Sequence, residues 1–245
     1  MTRTLTALCA LAFTAVSVLT GCAHDIDASV PPTPVTTESA TTERKSPNTW
    51  LSTVLPTGDE LSKAVGRRVG VDDIPPLLGT IDDLRDTVSG TEDANSSCIA
   101  VVSPLEKQAY AASPVRAVTY STQSTITTGA VWFSSENDAR ALFAALSDQW
   151  RKCDGTSYTT STGGLQFEHQ ISELKSTNDV VSAIVSVTST SGGAPVRTER
   201  ALGIARDCIV EAEVPVAASP DTLDQSTAAT DVVTTMLSKV NAAQR

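Results

Sequence analysis

The sequence predicts an α+β domain, a mostly antiparallel sheet flanked by helices. Short runs of β-type residues follow one another from Cys98 to Val214, without the regular strand–helix alternation that a parallel sheet needs. One strongly periodic helix interrupts them after Phe133, and a second closes the chain.

In chain order, Leu51 to Val65 reads as a short helix entered at Thr57 or Asp59, with Leu61 and Val65 on one face. Ile74-Pro75-Pro76-Leu77-Leu78 must be extended or looped, because proline forbids helix there. Cys98 to Val102 reads as a short strand, and Leu105 to Tyr110 as a helical turn after Pro104. Val115 to Tyr120 alternates apolar with polar, as a half-buried strand does, and Gly129 to Phe133 continues the sheet.

The stretch from Ala130 to Cys153 is the one around which the rest is organised. Ser134 or Ser135 can accept bonds from free helix N–H groups, with Glu136 and Asp138 at the positive end of the dipole. Ala139, Leu142, Phe143, Leu146 and Trp150 then recur at three- and four-residue spacing and form one apolar face. Cys153 lies about one turn past that face, and Gly155 stops the helix. After a Gly163-Gly164 turn come strands at Leu165 to Glu168 and at Val180 to Thr190. Gly192-Gly193 begins a hairpin into Arg200 to Ile204, and Cys208 to Val214 forms the last strand. Ser219-Pro220-Asp221 starts a terminal helix whose apolar stripe is Leu223, Val232, Val233, Met236, Leu237 and Val240.

Three segments are expected: a signal peptide at 1–21, a tether at 22–49 and one folded domain at 50–245. Arg3 precedes an apolar run from Leu5 to Leu19, long enough for a signal sequence and short for a membrane span. The run ends in Leu19-Thr20-Gly21-Cys22, a bacterial lipobox, so Cys22 is the expected lipid attachment site and new N-terminus. Several acyl chains on Cys22, palmitate among them, hold a protein stably on the membrane where one chain binds marginally. Residues 23–48 are rich in Ser, Thr and Pro with almost no large apolar side chains, the composition of an unfolded tether. Such a coil holds a domain roughly 25–30 Å from the membrane on average. The expected location is the extracytoplasmic side of the cell membrane.

A formal net charge of −10 leaves no electrostatic footprint for phosphate backbones, and 4% aromatic residues leave few stacking platforms, so nucleic acid is not an expected partner. The chemistry of sites is equally sparse. His24 lies in the tether and His169 is the one histidine of the domain, so neither zinc-ligand spacing nor a serine triad can be assembled. The chain has no phosphate-binding glycine loop. Asp72, Asp73, Asp82, Asp83 and Asp86 lack the register of a calcium loop and read as a solvated acidic face. Glu211 and Glu213 fall on one strand face and read as a solvated edge rather than a glycosidase pair. No enzyme activity, metal or cofactor is expected. Tyr110, Tyr120, Trp132 and Trp150 are candidate pocket walls, with core packing the stronger reading for each.

With Cys9 in the signal and Cys22 acylated, Cys98, Cys153 and Cys208 remain, enough for one bridge and one leftover thiol. Cys98 and Cys153 can come within disulfide reach, closing a loop worth roughly 4 kcal/mol by chain entropy. Cys153–Cys208 and a fully reduced set are the competing readings.

Several of these residues together resemble a known family. They are Cys98-Ile99-Ala100-Val101-Val102-Ser103-Pro104-Leu105-Glu106, Tyr110, Val131-Trp132-Phe133-Ser134-Ser135, Asp138-Ala139-Arg140, Trp150-Arg151-Lys152-Cys153 and Arg200-Ala201-Leu202. The pattern is similar to the PknH-like extracellular sensor domain, carried by some actinobacterial serine/threonine kinases and by free-standing envelope lipoproteins. The resemblance covers about residues 50–243. It implies an antiparallel sheet flanked by helices with a ligand-binding cleft. Members often carry two disulfides; here Thr198 stands where a fourth cysteine is expected. The expected function is therefore that of an envelope lipoprotein with a non-catalytic sensor or ligand-binding domain. The expected partners are the membrane, through the lipid, and an envelope ligand or protein. A docking scaffold is the alternative, and a hydrolase the remoter one.

Overall fold

The computed structural model describes residues 49–70, 74–86, 98–162, 164–216 and 227–245. The signal, the lipobox and all of the tether but Thr49 lie outside them, as do Asp72, Asp73 and the segment containing Ser219-Pro220-Asp221 and Leu223.

Eight strands form one antiparallel sheet: β1 (Leu77–Gly79), β2 (Val115–Gln123), β3 (Ile126–Phe133), β4 (Ser157–Thr162), β5 (Leu165–Ser176), β6 (Val180–Ser189), β7 (Val196–Ala205) and β8 (Cys208–Pro215). Their order is β1-β2-β3-β8-β7-β6-β5-β4, so β3 and β8 meet at a central seam. This is the α+β architecture read from the sequence. Polar β4 escaped that reading because Tyr158 is its one buried hydrophobic and no apolar alternation marks it.

Helices cover both faces. The first carries α3 (Ile99–Val102), α4 (Lys107–Tyr110) and the long α5 (Glu136–Cys153). The second carries α1 (Thr49–Ser52), α2 (Gly58–Val65) and the terminal α6 (Ala228–Ala243). Thr57 and Glu60 cap α2 reciprocally, and Gly66 ends it in the left-handed conformation at φ 66°. Ser135 caps α5 by accepting from the Asp138 N–H at 3.2 Å. Of the expected α5 face, Ala139, Phe143, Leu146 and Trp150 are buried and Leu142 packs at its margin; Cys153 belongs to the helix and is buried too.

Cys98–Val102 is the clear exception to the expected strands, since Ile99 to Val102 is a turn of helix. All four side chains are buried, so the run is apolar on every side and carries no period that separates strand from helix. Its place on top of the sheet, tied to α5, decides the matter. On the other face Glu199 of β7 accepts from the Ala229 N–H at 3.0 Å and from the Thr230 hydroxyl at 3.3 Å, capping α6 from the sheet. Lys239 of α6 binds Glu60 at 2.8 Å and the Leu55 carbonyl at 2.7 Å, fixing α6 to α2 and the loop before it.

Candidate functional site

Alternation along a strand sends every second side chain to one face. On β7 that rule aligns Arg200 with Leu202 and Ile204; on β8 it aligns Glu211 and Glu213 with Ile209. The register sets Arg200 opposite Glu213 and Leu202 opposite Glu211. A guanidinium and two carboxylates therefore converge beneath α3, α4 and α5.

Arg200 is fully buried and Glu211 nearly so. Arg200 Nη2 donates to Glu211 Oε2 at 2.6 Å and to the Ala100 carbonyl of α3 at 3.5 Å, while Nη1 lies 3.9 Å from Glu213 Oε2. The guanidinium carbon stands 5.8 Å from the centre of the Trp150 ring on α5. The Tyr110 hydroxyl of α4 donates to the other oxygen of Glu211. Burial, reinforced by Glu211, pushes the Tyr110 phenol well above its ordinary value, so it stays protonated and serves as donor. Burial also raises the Glu211 carboxyl, against the opposing pull of Arg200, Tyr110 and the Leu105 backbone amide.

These corrections to the sequence reading have one cause. Glu211 and Glu213 are not a solvated edge, because β8 is a central strand flanked by β3 and β7. Tyr110 and Trp150 pack in the core as expected, yet both also touch the charged cluster. Sequence reasoning missed Arg200 as a site residue. The signal was its parity, which places it on the side of Leu202 and Ile204.

Cys98, just before α3, and Cys153, at the end of α5, form a disulfide with Cα atoms 5.8 Å apart, the first of the pairings considered. Cys208 is a free, buried thiol on the opposite face of the sheet, so the competing Cys153–Cys208 pairing is out of reach. The bridge anchors one end of a cap running from Cys98 to Tyr110. The other end is held by a parallel bridge between Arg85 and Glu106: the Arg85 N–H donates to Leu105 O at 3.2 Å, and the Lys107 N–H to Arg85 O at 2.7 Å. Lys107 also pairs with Asp82 at 2.7 Å. Beneath the cap, Gly129 stands opposite Glu211 in the seam. A Cβ there would collide with Leu105 Cδ1 and come within 2.9 Å of Thr119 O, so only glycine lets the cap approach.

The remaining candidates lie apart. Trp132 sits half-buried on the second face, donating from Nε1 to Asp207 at 2.8 Å, with Trp50 edge-on at 5.5 Å and Arg116 5.0 Å above its ring. Tyr120 packs half-buried at the rim of the α5-side core. His169 shares a 2.9 Å bond with Thr160 through Nε2, and burial lowers its pKa. Asp82, Asp83 and Asp86 are exposed; Asp83 caps the turn at Thr80. Among the described residues, two surface clefts are lined mainly by polar side chains. One of about 440 Å³ is lined by Glu60, Lys63, Asp231 and Thr234, and another of about 310 Å³ by Glu136, Arg140, Asp179, Arg206 and Asn241.

Residues 46–239 match the profile of the family described as the PknH-like extracellular domain. The chain belongs to that family. The fold agrees: the PknH-like domain superposes on the crystal structure of the extracellular domain of PknH from Mycobacterium tuberculosis with a TM-score of 0.64, covering 78% of this chain and 95% of that one. Identity is 16%, so this likeness speaks to the PknH-like fold and not to the side chains of the site. No curated protein matches the chain by sequence.

Proposed function

We propose that the chain is a cell-envelope lipoprotein whose PknH-like domain, residues 50–245, is a non-catalytic sensor or ligand-binding module on the extracytoplasmic side of the membrane. Membership of an extracellular domain family is the observation that carries this reading. The Cys98–Cys153 bridge suits an oxidising compartment. The buried Arg200–Glu211–Tyr110 cluster holds its members against one another under a cap, an arrangement for fixing a surface rather than for turning over substrate. Among the described residues no helix is long and apolar enough to cross a membrane. In this reading acylated Cys22 supplies the attachment and residues 22–49 the tether.

Two measurements test the parts separately. Cys22→Ser should release the protein from membrane fractions, and retention there would remove the anchor. Native mass spectrometry of the protein extracted from its own envelope in mild detergent should show a stoichiometric extra mass that is lost on denaturation. A bare mass would move the reading to docking of a partner protein, with crosslinking as the next step.

A further inference from the structure

Four buried donor atoms at the interface between α5 and the sheet have no hydrogen-bond partner in the protein: Arg200 Nε and Nη1, Trp150 Nε1 and Ser147 Oγ. Arg200 and Trp150 are 0% exposed and Ser147 is 5% exposed. Buried polar groups are paired in the great majority of cases, and each one left unpaired costs about 1–3 kcal/mol. Donors on three neighbouring side chains are thus left without a hydrogen bond inside the protein. They are also grouped: the guanidinium lies against the Trp150 ring, and Ser147 stands one turn before Trp150 on the same inward stripe. The ring face balances charge but offers no strong acceptor to an N–H.

The surrounding charge selects the acceptor. Arg200 is already matched by Glu211 at 2.6 Å, and Glu213 adds a second carboxylate at 3.9 Å from Nη1. A further anion would meet net negative charge in a medium that screens poorly. A cation would be repelled by the guanidinium and would face N–H donors that cannot coordinate it. What remains is a neutral lone pair.

We propose that Arg200, Trp150 and Ser147 form an internal site for a small uncharged oxygen ligand beneath α3, either water or the carbonyl or hydroxyl group of a bound organic molecule. The site is built by this domain whether or not the chain is lipid-anchored. In its organic form it rests on the ligand-binding reading above and names the chemistry that the ligand presents. A buried water typically makes about three hydrogen bonds; here it would accept from the Arg200 and Trp150 N–H groups and donate to Ser147 Oγ. Arg200 links the site to the cap through its bond to Ala100 O, so an occupant is felt by α3.

The test uses the full chain, extracted in mild detergent, with its tryptophans labelled with nitrogen-15. The Trp150 indole resonance is identified by its loss in Trp150→Phe, or by elimination in the Trp50→Phe/Trp132→Phe double variant. Paired NOESY and ROESY spectra separate through-space contact from hydrogen exchange by the sign of the cross-peak. Contact between the Trp150 indole N–H and water supports the proposal with solvent as the source, and it does so even where native mass spectrometry finds no ligand. Contact with carbon-bound protons of a non-protein molecule, together with an extra mass, supports it with an organic source. An indole N–H that is protected from exchange but contacts neither overturns it, and the anchor reading is untouched by that result.

Discussion

Arg200 and Glu211 meet at 2.6 Å across adjacent central strands, and neither side chain reaches solvent to any useful extent. Removing one partner of such a pair strands a charge in the interior. Arg200→Met is expected to lower the free energy of unfolding by about 3–5 kcal/mol, read by urea denaturation. Arg200→Met combined with Glu211→Leu should recover much of that loss, because the one carboxylate then left without its partner, Glu213, is partly exposed. A double variant as weak as the single one would mean that the pair contributes through shape instead.

The disulfide offers a second measurement. It closes a separation of 55 residues between the cap and α5. Its loss in Cys98→Ser/Cys153→Ser should destabilise the domain by about 4 kcal/mol on the chain-entropy account. Thermal melts with and without reductant would show the same drop in the native chain and little change in the double serine variant.

Cys208 should be silent until the protein opens. Burial, with Asp207 beside it, raises the thiol well above its ordinary pKa, which suppresses the reactive thiolate. A thiol reagent added to the native, unreduced domain should leave Cys208 unmodified, and modification should appear with the unfolding transition. Prompt labelling under native conditions would contradict the packing of Cys208 against the second face.

His169 gives the acid response. Burial lowers its folded pKa below the unfolded value of about 6.5, so the folded state prefers the neutral ring. Its contribution is complete above the unfolded value and is lost as pH falls through the folded one. Melting temperatures measured from pH 7.5 down to 5 should therefore decline less steeply for His169→Gln than for the parent chain.

The legible parts of the fold were those whose pattern carries its own period. α5 declared itself through Ser135 and the Ala139 to Trp150 stripe, and β8 through the two-residue spacing that put Glu211 and Glu213 on one face; the same parity on β7 carries Arg200, which that reading passed over. Strand order was not legible. Nothing local in Cys208 to Pro215 says that β8 pairs with β3 rather than ending the sheet, and on that fact turned the reading of Glu211 as solvated. Ile99 to Val102 failed for the opposite reason, since a run buried on all sides has no face to reveal. The bridge between Cys98 and Cys153 was open to reasoning because few cysteines remain to pair and Cys153 sits at a definite helix end, although the strand read at Cys98 is a turn of helix. The site donors on Arg200 and Trp150 were not, because an unpaired N–H exists only once the packing is complete.

The seam between β3 and β8 has a consequence for how the chain comes together. Phe133 ends β3 and Cys208 begins β8, with α5 and four further strands lying between them in sequence. Made from its N-terminus, the chain therefore carries the apolar β3 with one side bare until nearly the whole domain has been synthesised. Such late, distant pairing slows folding and leaves an adhesive strand available to neighbours. Any truncation before Cys208 would leave two ribbons with sticky margins instead of a smaller sheet, so this domain is indivisible in the direction in which it is built.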